Sequence, residues 1–506
     1  MGLLLPILVL GWLLRWASWP APSLHPDEAL YAYWGRLIAS GRDPALVSVY
    51  VDKPPVHIYA LALAFRLWGA GPEAARLPSL FASFFTLPVF YVLVRHLYDR
   101  LVALLAMFFL ALSPYAIAFA PTLFADSLLL LWGLLACALA ARRRWFCAGI
   151  ALSLAVATKQ HGLFFIFPLL GFVWVRRPAP VASFGGLPDS FGALHVVFPL
   201  SLPVPTLPHV VSISSHTRSL GKMLFGFLLP FAVLIWWDHL RWQNRPSIWE
   251  RGWTVYGGLR LAPASTWTDR AEGWVEWLGY LTASPWLTAF LVAGIVFLVL
   301  RALRVRGLQA KTDVVTIAFS LGYLLIHWLI TFAVWDRYLL LLAPWVALLI
   351  ARSGVLLSLY FARCWRLLAP VLWFALITLA LRPAWTAAEA RLPIGGDQGA
   401  YTGAGEVARW MAEHLPPDAL LYHHELGWHL AYELFDRGPV VRWFADAGTL
   451  TDDLVRQQRS AFIVMPTWSP LWDDVAAELA VQGWVLLPRY KAGVMRLYAI
   501  QPEPAS

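Results

Sequence analysis

Residues 54–69, PPVHIYALALAFRLWG, decide how the rest of this chain passes through a membrane. The stretch is apolar, but it opens on two prolines and contains His57 and Arg66. A helix needs about 20 apolar residues to cross the hydrocarbon core of a bilayer, so these 16 residues are few for a span. They form either a short span or a helix that enters the bilayer without crossing it, and the charges of the surrounding loops distinguish the two.

The composition of the whole chain indicates a protein that lies mostly in lipid. Of its 506 residues, 59% are hydrophobic and only 14% are charged, and the mean hydropathy is +0.62. A soluble domain carries roughly 25% charged residues. The 29 tryptophans and 17 tyrosines suit rings that lie at the level of the lipid headgroups.

Eleven further apolar stretches predict a polytopic α-helical membrane protein. Two of them share residues 146–175 and are divided by Thr158-Lys159-Gln160-His161. The first is interpreted as a retained span rather than a signal peptide, because it lacks a basic start and contains Arg15. The other predicted spans are 76–95, 101–120, 123–141, 222–238, 285–302, 313–334, 338–357 and 364–381, after the first at 3–19.

The basic loops favour a helix at 54–69 that does not cross. If it does not cross, every arginine-rich loop falls on one side, which the positive-inside rule assigns to the cytoplasm. If it crosses, the loops at 142–144 and 301–311 move to the outside. We therefore interpret 54–69 as an interfacial or re-entrant helix. The net charge of +9 then reflects loop placement, and we expect no nucleic-acid partner.

Two regions organise the chain. Residues 1–382 form the predicted membrane domain, which includes an uncharged Pro/Ser/Gly-rich linker at 178–220 and an outer loop at 239–284. Residues 383–506 predict a small outer α/β domain. Its predicted helices are 403–414 and 473–482, and its predicted strands are 419–422, 460–465, 484–487 and 494–500.

Cysteine and histidine positions give little support for a metal site. Cys137, Cys147 and Cys364 lie in or beside apolar stretches, so neither a disulfide framework nor a zinc site is expected. In the C-terminal domain, His423-His424-Glu425 and His429 could hold a metal, but a mixed surface helix explains these residues more simply.

Acidic and basic residues cluster at two places near the start of the chain. Asp27 and Glu28 follow the first predicted span, where adjacent carboxylates are costly to desolvate and so need a partner or a task. The alternative is a solvated loop that caps a helix. Asp52-Lys53 opens the 54–69 helix, where a lysine and a helix N-terminus could hold a phosphate. The alternative is an interfacial lysine paired with Asp52.

Two later clusters share the same predicted face. Asp126 lies at the outer end of two spans, where it either acts in a site or caps the next helix. Arg337 presents a fork suited to phosphate oxygens, unless it simply pairs with Asp336. Independent capping residues have no reason to share one side. A carboxylate base together with Lys and Arg is what group transfer from a membrane phospholipid carrier requires.

Four motifs in order resemble a known family. The acidic pair after the first span, Asp52-Lys53-Pro54-Pro55, Ala75-Arg76-Leu77-Pro78-Ser79 and Arg337-Tyr338-Leu339-Leu340 resemble the GT-C glycosyltransferases of the protein O-mannosyltransferase and aminoarabinose lipid A transferase superfamily. The resemblance is strongest over 1–175 and returns over 313–352. It implies a GT-C fold with about 11 spans that moves a sugar from a polyprenyl-phosphate donor to a hydroxyl acceptor (protein, lipid or glycan) on the outer face of the cell membrane.

The resemblance also implies roles for individual residues. Asp27 would be the base that deprotonates the acceptor, in a single displacement with inversion. Lys53 and Arg337 would neutralise the lipid phosphate, while Glu28 and Asp126 would position the acceptor or bind a metal. The remaining substrate-binding residues by this resemblance are Tyr31, Asp52, Arg76 and Tyr338.

The sequence departs from the family pattern at two places, and two other classes of function have to be considered. Asp52 stands where lipid A-type relatives tend to carry Glu, and the 178–220 segment is longer than expected. No cofactor is indicated, although a divalent metal ion stays open. A transporter or flippase of lipid-linked saccharides would also gather polar residues, but transporters tend to show related halves, and this sequence shows no repeat. A structural assembly protein would leave the paired anionic and cationic sites unexplained.

Overall fold

The computed structural model describes residues 2–17, 19, 23–175, 208–256, 258–365, 367–457 and 461–503. They form a helical membrane domain followed by a small α/β domain. Three short 3-10 helices, Gln160–Phe165, Ala264–Thr266 and Asp336–Leu342, interrupt the α-helices of the membrane domain. Those α-helices are α1 (Leu4–Ala17), α2 (Pro26–Ala39), α3 (Val56–Trp68), α4 (Pro72–Leu97), α5 (Arg100–Ala111), α6 (Pro114–Ala118), α7 (Asp126–Ala141), α8 (Trp145–Thr158), α9 (Ile166–Val175), α10 (Pro208–His239), α11 (Ile248–Tyr256), α12 (Trp267–Gly279), α13 (Pro285–Arg304), α14 (Leu308–Leu329), α15 (Ala343–Cys364) and α16 (Leu368–Ala388).

A helix occupies the place of each of the eleven predicted spans, but their lengths differ. Within the described ranges, six helical segments are long and apolar enough to cross a membrane, and the rest of the apolar helices are shorter. The six are Pro72–Leu97, Thr217–His239, Pro285–Arg304, Leu308–Leu329, Asp336–Arg363 and Leu368–Ala388.

The predicted continuous span at 101–120 is wrong. Helix α5 ends at Ala111, and a new short helix, α6, begins at Pro114. The Ser113 hydroxyl accepts the N–H of Ala116, which caps α6. Proline lacks an N–H and clashes with the preceding turn, which disfavours continuation of the first helix through Pro114.

Helix α3 is too short to cross alone. Its 13 residues extend about 20 Å, against roughly 30 Å for the hydrocarbon core. It lies beside α2 in the same direction, because Tyr31 contacts His57 near their starts and Arg66 donates to the carbonyls of Ile38 and Ala39 near their ends. The residues that open both helices, Asp27 and Asp52-Lys53, therefore lie at one end of the membrane domain.

The predicted linker is shorter in the structure, and the predicted outer loop contains helices. Helix α10 begins at Pro208, inside the stretch predicted as linker, because proline at the first helical position loses no hydrogen bond. The part of that linker at 178–207 lies outside the described residues. The predicted outer loop at 239–284 contains two helices, α11 and α12.

The C-terminal domain contains the predicted α/β elements and three more. The strands are β1 (Leu420–His423), β2 (Val440–Trp443), β3 (Ala461–Pro466), β4 (Trp484–Ala492) and β5 (Met495–Pro502), and the helices are α17 (Ala404–His414), α18 (Gly427–Glu433), α19 (Ala447–Gln457) and α20 (Trp472–Val481). The sheet has the order β2-β1-β3-β5-β4, with β1 parallel to β2 and β3, and β5 antiparallel to β3 and β4. The elements missing from the prediction are α18, β2 and α19, all short or polar.

The C-terminal domain contacts the helix that carries Asp27. Arg36 of α2 donates to the Tyr432 carbonyl at 2.6 Å and to Asp436 at 2.7 Å, and its guanidinium lies 4.6 Å from the centre of the Phe435 ring. The buried His429 of α18 donates from Nε2 to the Leu24 carbonyl at 2.7 Å. These bonds hold α2 and the residues before it against the C-terminal domain.

We expect the stability of this contact to decrease as the pH is lowered. Burial lowers the pKa of His429 to about 4, against about 6.5 in an unfolded chain. Between these values the unfolded chain binds more protons, so stability decreases as the pH falls from 6.5 to 4 and levels off below. Because burial also lowers the pKa of His423 to about 4, the two histidines act in the same direction.

The variant His429→Phe isolates one of these contributions. Phenylalanine keeps an aromatic ring against Tyr401, which stacks on His429 with 4.4 Å between ring centres, but it cannot be protonated. The decrease in Tm from pH 6.5 to 4 should therefore be smaller than in the wild type. Exposed His414→Phe serves as the control and should keep the wild-type slope. Identical slopes for His429→Phe and the wild type would contradict the assignment.

Candidate active site

A capping arrangement fixes Asp27 in the first turn of α2. The N–H of Asp27 donates to Nδ1 of His25 at 3.1 Å, and the N–H of His25 donates to the Glu28 carboxylate at 2.8 Å. Pro26 occupies the first helical position, where its fixed φ suits a helix start. Asp27 itself takes no part in capping through its side chain. Its carboxylate is therefore available for contacts outside α2.

Glu28 connects separate segments of the fold through hydrogen bonds, and we call residues with this structural role the framework. Its second carboxylate oxygen accepts the N–H of Leu123 at 2.7 Å, and the side chain is fully buried. With both oxygens bonded to backbone, Glu28 joins the start of α2 to the turn before α7. A role of Glu28 in positioning the acceptor or binding a metal stays a prediction.

Asp27 pairs with Arg337 across the membrane domain. The Asp27 Oδ2 and Arg337 Nη2 atoms are 2.9 Å apart, and the side chains are 38% and 8% exposed respectively. The alternative pair of Arg337 with Asp336 is not formed, because the Asp336 carboxylate accepts the N–H groups of Arg337 and Gly395. The Arg337 guanidinium also lies 4.7 Å from the centre of the Phe124 ring.

A second pair joins Asp126 to Lys159. Lys159 Nζ lies 2.7 Å from Asp126 Oδ1, and both side chains are buried. Lys159 has an extended backbone between α8 and the 3-10 helix at Gln160, and its ammonium lies 4.6 Å from the centre of the Tyr338 ring. Sequence reasoning treated Lys159 only as a divider of two spans. A lysine inside an apolar stretch was the signal, since such residues are rare and functional in membranes.

The third pair, Asp52 with Lys53, is tied to the second. The two side chains form an ion pair and are mostly buried, and the Asp52 carbonyl accepts from the Gln160 side chain at 2.9 Å. Lys159 lies close enough to both Arg337 and Lys53 for electrostatic interaction. The structure therefore gathers three cations, each beside a carboxylate, and we call this set the cationic cluster.

The other predicted residues surround this cluster in different ways. Tyr338 stacks on His161, with 4.5 Å between ring centres, and Tyr31 lies within electrostatic range of Arg337. Arg76 is buried and donates to the carbonyls of Pro121 and Ser23 at 2.6 and 2.9 Å. Arg76 thus holds two loops in place and, like Glu28, belongs to the framework.

A cavity of about 430 Å³ lies between the membrane domain and the C-terminal domain. Arg337 lines the cavity and also belongs to the cationic cluster. The cavity and the cationic cluster therefore meet at the Asp27–Arg337 pair. Sequence reasoning missed the cavity. Its walls are His25, Pro26, Phe124, Trp277, Trp335, Asp336, Arg337, Pro393, Gly395, Gly396, Asp397, Gln398, Ala400, Tyr401 and Trp468.

The histidines of the C-terminal domain do not converge on a metal. His424 donates to the Phe444 carbonyl, and His429 donates to Leu24. His423 lies on β1 and His429 is buried, so the surface-helix interpretation of these residues was also wrong. Among the residues that the structure describes, no three His, Cys, Asp or Glu side chains form a group that could hold a metal ion.

Comparison with known proteins identifies the class. Residues 52–201 match the family model described as dolichyl-phosphate-mannose-protein mannosyltransferase. The fold matches ArnT from Cupriavidus metallidurans in the apo state with a TM-score of 0.63 and 17% identity, covering 98% of both chains. It matches the same protein bound to undecaprenyl phosphate with a TM-score of 0.61 and 16% identity, again covering 98% of both chains.

A third fold match is the oligosaccharyltransferase of Archaeoglobus fulgidus tethered with an acceptor peptide. Its TM-score is 0.54 at 13% identity, and the match covers 98% of this chain and 73% of that one. None of the curated proteins matches the chain by sequence. The fold and the family match confirm the predicted resemblance to the GT-C glycosyltransferases, and with it the predicted enzyme class, a membrane glycosyltransferase.

The framework role of Glu28 can be tested by stability. In Glu28→Gln, an amide group would replace one oxygen that now accepts a backbone N–H, at a cost of about 1–3 kcal/mol for the unsatisfied group. We expect a lower Tm, measured by thermal unfolding of the purified protein. The exposed Glu413→Gln should unfold like the wild type. An unchanged Tm in Glu28→Gln would contradict the framework role.

Proposed function

We propose that this glycosyltransferase moves a sugar from a polyprenyl-phosphate donor to an acceptor hydroxyl at the outer face of the cell membrane. The observation that carries the proposal is the Asp27–Arg337 pair beside Lys53 and Lys159. ArnT, whose fold this chain shares, binds undecaprenyl phosphate. The outer face is supported by the basic loops, which all fall on the opposite side if α3 does not cross.

The cationic cluster suits a leaving phosphate. As the bond between the sugar C1 and the phosphate oxygen breaks, negative charge grows on that oxygen, and preorganised cations stabilise it most in a site that excludes water. Lys53, Lys159 and Arg337 are each matched by a carboxylate at rest. A bound phosphate would compete with these carboxylates, and Arg337 can turn to it while leaving Asp27 unpaired.

Asp27 is the carboxylate best placed to act as base. Its side chain is 38% exposed, against 17% for Asp52 and 3% for Asp126, and a base must reach the acceptor proton. In the proposed step the acceptor oxygen bonds to C1, its proton passes to Asp27, and the polyprenyl phosphate leaves with the bonding electrons. A single displacement of this kind inverts the configuration at C1.

Replacing Asp27 by Asn tests the base directly. The amide keeps the shape of the side chain but cannot take up a proton, so transfer should fall about 10²- to 10⁴-fold. The measurement is release of undecaprenyl phosphate from a panel of undecaprenyl-phosphate sugars by the purified protein. Thermal unfolding should show that the variant remains folded.

Asp474→Asn, an exposed position on α20, is the matched control and should keep full activity. Retained transfer in Asp27→Asn would remove Asp27 as the base. A wild-type protein that binds these donors but releases no undecaprenyl phosphate, with any acceptor tried, would instead favour a transporter or flippase of lipid-linked saccharides.

A further inference from the structure

We propose that the cavity between the two domains binds the acceptor through a sugar ring, with one of its walls supplied by the C-terminal domain. The inference rests on the proposed transferase function and specifies its second substrate. A volume of about 430 Å³ falls within the range of roughly 300–1,000 Å³ common for small-molecule sites. It suits one or two sugar units at the end of a glycan or glycolipid.

Aromatic rings line the cavity from both domains. Phe124, Trp277 and Trp335 come from the membrane domain, and Tyr401 and Trp468 come from the C-terminal domain. The face of an aromatic ring carries negative charge density. The C–H groups on the face of a pyranose are polarised positive by their oxygens, so sugar rings stack on such faces.

The C-terminal wall is fixed in position. The Tyr401 ring stacks on His429 with 4.4 Å between centres, and it meets Trp468 edge to face at 5.6 Å. The Trp468 indole N–H donates to the Ala400 carbonyl at 2.7 Å. Rings that are already ordered lose little conformational entropy when a ligand binds, which favours recognition of a small ligand.

A glycine-rich loop completes this wall with backbone groups. Gly395 and Gly396 have φ of +77° and +69°, and a Cβ at Gly395 would lie 2.9 Å from the Ala118 carbonyl oxygen. The loop is tied down by Asp336, which accepts the Gly395 N–H, and by Ser23, which donates to Asp397 at 2.7 Å. The loop thereby forms a fixed part of the cavity wall.

The cavity opens beside the proposed base. His25 and Pro26, the two residues before Asp27, line it, as does Arg337, the partner of Asp27. A ring held there would present a hydroxyl next to Asp27. An extended peptide is a poorer fit, because no lining residue lies on a strand and strand addition is therefore not offered.

Saturation-transfer NMR tests the inference with defined probes. The full-length protein in lipid nanodiscs, which avoid competing sugar detergents, is mixed with methyl glucoside, methyl N-acetylglucosaminide or a serine-containing pentapeptide. We expect transfer to the ring protons of at least one glycoside and none to the peptide. Trp468→Ala should reduce this signal at least about fivefold, and Trp468→Phe, which keeps a stacking ring, should retain most of it.

Trp443→Ala is the matched control, since Trp443 is an exposed tryptophan of the same domain that does not line the cavity. Its signal should equal that of the wild type. Transfer to the peptide alone, or an undiminished glycoside signal in Trp468→Ala, would overturn the inference.

Undecaprenyl phosphate separates this test from the proposed function. Its binding, measured as an increase in Tm of the same proteins, should be equal in the wild type and in Trp468→Ala. If glycosides fail but undecaprenyl phosphate stabilises the wild type, the cavity inference falls alone. If undecaprenyl phosphate has no effect while glycosides bind at Trp468, the proposed donor falls and the cavity assignment stands.

Discussion

The ion pair between Asp27 and Arg337 is the contact on which the rest of the site depends. Arg337 is almost buried, and an unpaired guanidinium at that depth would be costly. The segment that carries each partner is held in place by hydrogen bonds to other parts of the chain. Arg36 of α2 donates to the Tyr432 carbonyl of the C-terminal domain, which holds the helix that carries Asp27. The hydroxyl of Tyr323 donates to the Tyr338 carbonyl, next to Arg337. The pair therefore joins α2, which the C-terminal domain contacts, to the segment of the membrane domain that carries Arg337.

Charge matching explains why two lysines and one arginine coexist with three carboxylates in so small a space. Buried ion pairs are weak contributors to stability, because desolvation offsets much of their attraction. In the proposed function, an anionic phosphate replaces the carboxylates around Lys53, Lys159 and Arg337, and the displaced Asp27 then becomes available to take up a proton. Under that proposal, binding of the donor and preparation of the base are two consequences of one exchange of partners.

Local features of the sequence predicted much of this structure, and distant contacts account for what it missed. Apolar runs placed the helices, and the charged motifs at 27, 52–53, 126 and 337 fall in one site. The helix break at Ser113-Pro114 also depends on local residues, but it lies within an apolar run that predicts one continuous helix. Glu28 bonds to the N–H of Leu123, 95 residues away, and Ser23 bonds to Asp397 across 374 residues. Periodicity and spacing carry no information on such pairs, so the framework role of Glu28, the partner of Lys159 and the interdomain cavity emerge only from the fold.

The most direct test is a structure of the full-length protein in nanodiscs with undecaprenyl phosphate. The site predicts that the phosphate lies against Lys53, Lys159 and Arg337, with Arg337 moved away from Asp27. A different charged cluster, Arg301 and Arg352 around the buried Asp313, offers an internal comparison. A phosphate bound at that second cluster, or one bound without disturbing the Asp27–Arg337 pair, would contradict the exchange of partners.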